Sequence, residues 1–118
     1  MTFDLDWPPK ELSPNARGHW SKKAKAAKRY RADCNALCRQ ARPEVPEGKV
    51  VLELEFFRPD RRSYDDDNLI ARMKSGRDGI ADALGIDDKR FITRHSISEE
   101  VVKGGKVRVR LSASQGGS

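Results

Sequence analysis

Three consecutive aspartates, Asp65, Asp66 and Asp67, are the residues of this 118-residue chain whose type and spacing most directly suggest chemistry. Adjacent carboxylates repel one another, and folding alone has little use for three in a row. They become favourable beside a divalent cation, because hard oxygen donors suit Mg²⁺ or Ca²⁺. In an extended segment, residues two apart share a side. Asp65 and Asp67 would then face together at roughly 6–7 Å between Cα atoms and could reach one cation. A second reading gives Asp66 or Asp67 the task of capping a helix, whose positive end favours a carboxylate. Capping accounts for one aspartate and not for three. A calcium loop of the EF-hand type fails on spacing. Counted from Asp65, its required Gly and Glu positions are occupied by Ile70 and Gly76.

The acidic run lies in a basic protein, with a net charge of +6 and a pI near 9.6. A chain that attracts polyanions globally but concentrates carboxylates at one point suggests metal-dependent chemistry on nucleic acid. Arg61 and Arg62 precede the run directly. Lys22, Lys23, Lys25 and Lys28 crowd one predicted helix, with Arg17 just before it. Each is a candidate phosphate contact or part of a solvated face. Lys106, Arg108 and Arg110 alternate along a predicted strand and form either a charged sheet face or a second DNA surface. A further acidic pair, Asp87-Asp88, follows the second predicted helix. An unbroken helix over residues 69–84 would be roughly 24 Å long at about 1.5 Å per residue. Asp88 then meets Asp65 and Asp67 only if the helix breaks near Gly76 or Gly79, or if a second antiparallel copy supplies it.

The elements that must position these groups follow from the hydrophobic pattern. Residues 3–7 alternate as a short strand, stopped by Pro8-Pro9. Residues 10–19 read as irregular. Ser21 is a candidate cap for a helix to about Ala41, with Tyr30, Cys34, Leu37 and Cys38 on one face. Val50–Phe57 is the strongest strand signal, with Leu52, Leu54 and Phe56 inward. A second helix runs from about Asn68 to Leu84, with Gly85 as its stop. Residues 92–102 and 106–111 read as two strands joined through Gly104-Gly105 as a hairpin. Trp20 and Tyr30 are expected in the core, Trp7 against its own prolines, and Phe91 in hydrophobic packing. Residues 113–118 are expected to be a flexible tail.

The fold class expected is α+β, in the order strand, helix, strand, helix, hairpin, over one domain spanning 1–118. Hydrophobic and charged residues each make up 36% of the chain, so the core is lean and a homodimer that buries further apolar surface is expected. Cys34 and Cys38 lie one helical turn apart, poorly placed for a disulfide, and read as reduced, buried thiols. No second cysteine pair completes a zinc site, and His19 and His95 are isolated. No apolar run is long enough to span a bilayer, and no secretory signal pattern begins the chain, so a cytoplasmic protein is expected.

The ordered set Trp7-Pro8-Pro9, Asn15, Arg61-Arg62, Asp65-x-Asp67-Asn68-Leu69, Asp82-Ala83-Leu84, Asp87-Asp88 and Lys103-Gly104-Gly105 resembles the RusA-like Holliday junction resolvases, small phage-associated endonucleases. The resemblance covers nearly the whole chain. It implies a homodimer that binds four-way DNA junctions and makes paired, symmetric nicks with Mg²⁺, or with Mn²⁺, in recombination and repair inside a bacterial or phage-infected cell. It implies that Asp65, Asp67 and Asp88 are the essential metal-holding acids. One position departs from the pattern. The family's usual lysine, one turn after the second aspartate, is Ala71 here, which leaves Lys74 as the catalytic cation with Arg72 beside it. The expected DNA contacts are Arg17, Lys22, Lys23, Lys25, Lys28, Arg61, Arg62 and Arg72. The alternatives are a less selective nuclease of flaps or branched DNA, and an inactive junction-binding protein.

Overall fold

The computed structural model describes residues 1–114. Four strands, β1 (Thr2–Asp6), β2 (Val50–Phe57), β3 (Phe91–Ile97) and β4 (Lys106–Ala113), form one sheet in the order β1-β4-β2-β3. Three helices, α1 (Trp20–Ala41), α2 (Asp66–Arg72) and α3 (Lys74–Leu84), are joined to it by 3-10 turns at Lys10–Leu12 and Asp88–Arg90. The α+β class and the single domain follow from this arrangement. Among the described residues, no helix is long and apolar enough to cross a membrane.

The most apolar strand takes the centre of the sheet. Leu52, Leu54 and Phe56 of β2 are fully buried, opposite Leu111, Val109 and Val107 of β4 in the antiparallel register. Leu5 of β1 extends this layer, and Tyr30, Cys34 and Cys38 of α1 close it together with Leu69, Met73 and Ile80. Both thiols are free and buried. Burial pushes Cys38 up to about 11 and Cys34 up to about 12.

The expected hairpin does not form. β3 pairs with β2 in parallel, from Val50 opposite Phe91 to Phe56 opposite Ile97. β4 pairs with the other edge of β2. Residues 98–105 must therefore cross the end of β2. The Ser98 N–H donates to the Phe56 carbonyl at 2.8 Å and the Val102 N–H to the Arg58 carbonyl at 3.0 Å. Gly104 and Gly105 are needed for a different reason. Both have positive φ, and a Cβ on Gly105 would lie 2.9 Å from the Trp7 ring. Trp7 itself packs edge-on against Phe56 and Tyr64.

The expected second helix is two helices. Met73, at φ −84° and ψ −2°, interrupts it. Its N–H turns to the Ile70 carbonyl at 3.0 Å, a tighter 3-10 step. The two segments answer to different neighbours: α2 lies on β3 and the first 3-10 turn, whereas α3 lies along α1. The stop at Gly85 is as expected. Gly85 is left-handed, and the Ile86 N–H closes on the Ala81 carbonyl at 3.1 Å.

Three smaller expectations are also corrected. The cap of α1 is His19, whose Nδ1 accepts the Ser21 N–H, and not Ser21. Trp20 is not in the core: it opens α1, ahead of the buried arc of Tyr30, Cys34 and Cys38, and is 75% exposed. β4 runs on past residue 111, so Ala113 belongs to it rather than to a tail, and residues 115–118 lie outside the described part.

Candidate acidic site and basic groove

The acidic run begins where the chain leaves β2. Asp60 shapes this exit. Its carboxylate accepts the Arg62 N–H at 3.0 Å, the Arg62 guanidinium at 2.8 Å and the Tyr64 hydroxyl at 3.2 Å. The Arg62 bonds hold the Asp60 carboxyl down to about 2. Arg62 therefore spends part of its charge on Asp60, while Arg61 is exposed.

The three aspartates do not form an extended ladder. Asp65 is extended, at φ −79° and ψ 125°, and it is the cap of α2: its Oδ1 accepts the Asp67 N–H at 2.9 Å. Asp66 and Asp67 already lie in the first helical turn, so the expected capping by Asp66 or Asp67 is displaced by one residue. All three carboxylates are exposed. Asp66 Oδ2 lies 3.4 Å from His95 Nε2 of β3. Among the described residues, Asp65 and Asp67 have no cationic partner within bonding distance.

Asn68 joins a distant partner to one a helical turn away. Its amide nitrogen donates to Ser13 Oγ at 2.7 Å, and its amide oxygen accepts from Arg72 Nε at 2.9 Å. Both ends of the amide are thus used. One fastens the loop before α1 to α2, and the other aims the Arg72 side chain. Ser13 is buried, and its carbonyl accepts Lys23 Nζ at 3.4 Å. Nothing in the sequence links positions so far apart.

Beside this tie lies an open groove of about 410 Å³ between α1 and the α2–α3 pair. Lys23, Lys28, Arg31, Arg72 and Lys74 line it, with Asp78 as the one lining carboxylate. Arg31 is engaged by Asp82, at 2.7 Å and 3.0 Å. Four cations from two separate stretches of sequence therefore face one channel. Ala71 lines it too, so Lys74 opens onto the same space as the residue expected to be lysine.

The other candidate contacts are elsewhere. Lys25 faces the opposite flank of α1, in a hollow that also holds Asp6, Glu11 and Asp33. Arg17 and Lys22 are exposed at the start of α1. The Lys106, Arg108 and Arg110 stripe is a sheet face with its own counter-charges: Lys106 and Arg108 pair with Asp4 at 3.4 Å and 3.3 Å, and Arg110 pairs with Glu53 at 3.7 Å.

Asp88 does not join Asp65 and Asp67. Because β2 and β3 are parallel, α2 starts at the end where β2 finishes. The chain then runs back along the sheet, so Asp88 lies where β3 begins. A strand of seven residues spans roughly 23 Å. Among the described residues, no group of three or more Asp, Glu, His or Cys side chains converges to hold a metal ion.

No family model matches the chain. An uncharacterized protein of Xylella fastidiosa is 45% identical to it over 126 aligned positions, covering 99% of this chain and 82% of the relative. The chain belongs to the family of this Xylella protein. The alignment takes in the groove, the acidic turn and the crossing loop together, because it spans nearly the whole chain.

Proposed function

We propose that the chain is a Mg²⁺-dependent endodeoxyribonuclease. On this reading it acts as a homodimer on four-way DNA junctions and makes paired, symmetric nicks, as in the RusA-like resolvases it resembles. The observation that carries this reading is the exposed Asp65–Asp67 turn, which opens the helix whose Arg72 faces a groove with Lys23, Lys28 and Lys74. The same short helix carries acidic charge in its first turn and Arg72 in its last, and a phosphodiester and a cation need both signs of charge together.

The donor chemistry fits a hard cation. Asp65 keeps one carboxylate oxygen outside its capping bond, and Asp67 keeps both. Mg²⁺ binds through one or two carboxylates plus substrate phosphates and retains water, so Asp65 and Asp67 would hold it. The ion would supply Lewis-acid polarisation and a water of lowered pKa. The chain's own residues do the rest. Lys74 and Arg72 neutralise charge that builds on the phosphate, with Asn68 fixing the Arg72 guanidinium. Lys23 and Lys28 hold the backbone of the strand. Asp88 contributes from a second copy, since within one copy it lies at the far end of the sheet. A twofold dimer presents two equivalent sites to the two symmetry-related strands of a junction.

A second reading is a protein that binds branched DNA without cutting it. The capping role of Asp65 and the alanine at position 71 favour it. A synthetic immobile junction and its matched linear duplex, each with Mg²⁺, separate the two readings. Junction-selective paired nicks that vanish in Asp67→Asn while binding persists support the nuclease. Tight binding with no cutting in Mg²⁺ or Mn²⁺ leaves the binding protein.

A further inference from the structure

We infer that Trp20 is a stacking platform for an unpaired nucleobase, one helical turn ahead of Lys23, which lines the basic groove. This inference rests on nucleic acid as the substrate and names which feature of it is gripped.

Trp20 is the most exposed large apolar side chain among the described residues, at 75%. A bare indole in water contributes little to the core. The neighbouring His19 ring lies 5.5 Å from the Trp20 ring, tilted by 33°. His19 is itself pinned at the helix start, since its Nδ1 meets Ser21 Oγ at 2.7 Å and accepts the Ser21 N–H at 3.2 Å. The indole therefore projects from the capped first turn of α1 with one ring beside it. That arrangement lowers the ordering cost of adding another flat ring.

The surroundings select the partner. Arg17, Lys22 and Lys23 flank Trp20 in sequence and are exposed, and no acidic residue lies between Leu12 and Asp33. An apolar protein partner would meet these neighbouring positive charges unfavourably. A nucleotide suits both parts, base on indole and phosphate on the cations. Lys23 also connects the platform to the acidic helix, because its Nζ reaches the Ser13 carbonyl and Ser13 Oγ accepts from Asn68. A strand whose phosphates follow Lys23 and Lys28 along the groove would bring a base onto Trp20. Bases within a duplex offer no open face there, so the occupant is a base freed at a branch point or a strand end.

Tryptophan emission of the full-length protein tests this, titrated with oligo-dT and with a blunt duplex, both without divalent metal, while anisotropy follows DNA binding. Oligo-dT should quench the emission of the wild type. Trp20→Phe, which leaves Trp7 as the reporter, should lose the quenching. Trp20→Ala should bind oligo-dT about 5- to 150-fold more weakly, with duplex affinity unchanged. Its exposure predicts a melting temperature like that of the wild type, to be checked by circular dichroism. Unquenched emission on bound oligo-dT, or wild-type affinity in Trp20→Ala, overturns the platform. So does the absence of any DNA binding. The nuclease reading fails separately: quenching with no metal-dependent cleavage keeps the platform and removes the enzyme.

Discussion

Replacing Gly79 with alanine should destabilise the protein, although the same change in most helices does the reverse. Gly79 lies within α3, where alanine is intrinsically better by about 1 kcal/mol. Here there is no room for the methyl group. A Cβ would collide with the Arg31 carbonyl oxygen of α1, and would lie 3.1 Å from its carbon and 3.2 Å from the Asn35 nitrogen. These obstacles are backbone atoms, so no rotamer change relieves them. Ordinary carbon contacts begin near about 3.5 Å, so α1 and α3 must part by something on the order of 1 Å. Overpacking of this kind costs roughly 1–3 kcal/mol. With the obstacle rigid, the upper end applies, and a net loss of about 2 kcal/mol remains after the propensity gain. For a domain of this size that is a fall of about 8 °C in melting temperature. Asn35 Nδ2 also donates to the Gly79 carbonyl at 3.2 Å, so the parting strains a hydrogen bond as well. Thermal and urea melts followed by circular dichroism give the answer. A Gly79→Ala protein as stable as the wild type, or more so, would mean that α1 and α3 do not meet at backbone distance. The lateral placement of Lys23 and Lys28 against Arg72 and Lys74 would then lose its structural basis.

Three further outcomes can be checked. Burial holds both thiols and the Tyr30 hydroxyl protonated in the fold, with Cys38 pushed up to about 11 and Cys34 to about 12. Unfolded thiols ionise near about 9, so the unfolded chain releases its protons first. Stability is therefore full below about pH 9 and falls as pH climbs through about 11, by up to about 1.4 kcal/mol per pH unit for each thiol. Urea midpoints across that range, with thiol-reagent labelling that waits for unfolding, provide the readout, and a flat profile would contradict it. Asp65→Ala should cost about 1 kcal/mol of stability through its lost cap, while Asp65→Asn keeps the cap and Asp67→Ala leaves it intact; equal melts for all three would remove the capping role. Finally, Lys28→Gln and Lys74→Gln should each lower the slope of log affinity against log salt by about 0.9 on duplex or about 0.7 on single strands, and an unchanged slope would take that lysine out of the groove's phosphate contacts.

Elements set by local pattern were legible in the sequence. The Val50–Phe57 run, the apolar arc of α1 and the Gly85 stop each depend on residues within a few turns of one another. What failed depends on competition between distant segments. Gly104-Gly105 announces positive φ, which serves a hairpin and a crossing loop equally. Only the capacity of β2 to take a partner on both edges decides between them. The break at Met73 carries no helix-breaking residue, because it arises where α2 and α3 turn to different neighbours. Trp20 misleads by its type: an aromatic side chain suggests the core, but its place in the first turn leaves it clear of the sheet. The candidate site divides in the same way. The aspartates stand out by themselves, whereas the groove joins Lys23 and Lys28 to Arg72 and Lys74 through a fold that no spacing encodes.

The parallel pairing of β2 and β3 bears hardest on the chemistry. It obliges the chain between them to begin at one end of the sheet and finish at the other. Asp65 and Asp67 open that crossing, and Asp88 closes it. A kink at Met73 bends the crossing without shortening it enough to return Asp88 to its start, because β3 must still run forward from Phe91 beside Val50. Within one copy the strand order keeps Asp88 apart from Asp65 and Asp67, so a site that used all three would take Asp88 from a second copy. Any site within one copy must work with the acidic turn of α2 and the cations of the groove. An Asp88→Asn variant mixed with Asp67→Asn distinguishes these. In a shared site, mixed dimers regain one intact centre, and nicking without paired resolution returns. In a site confined to one copy, Asp88→Asn alone cuts as well as the wild type.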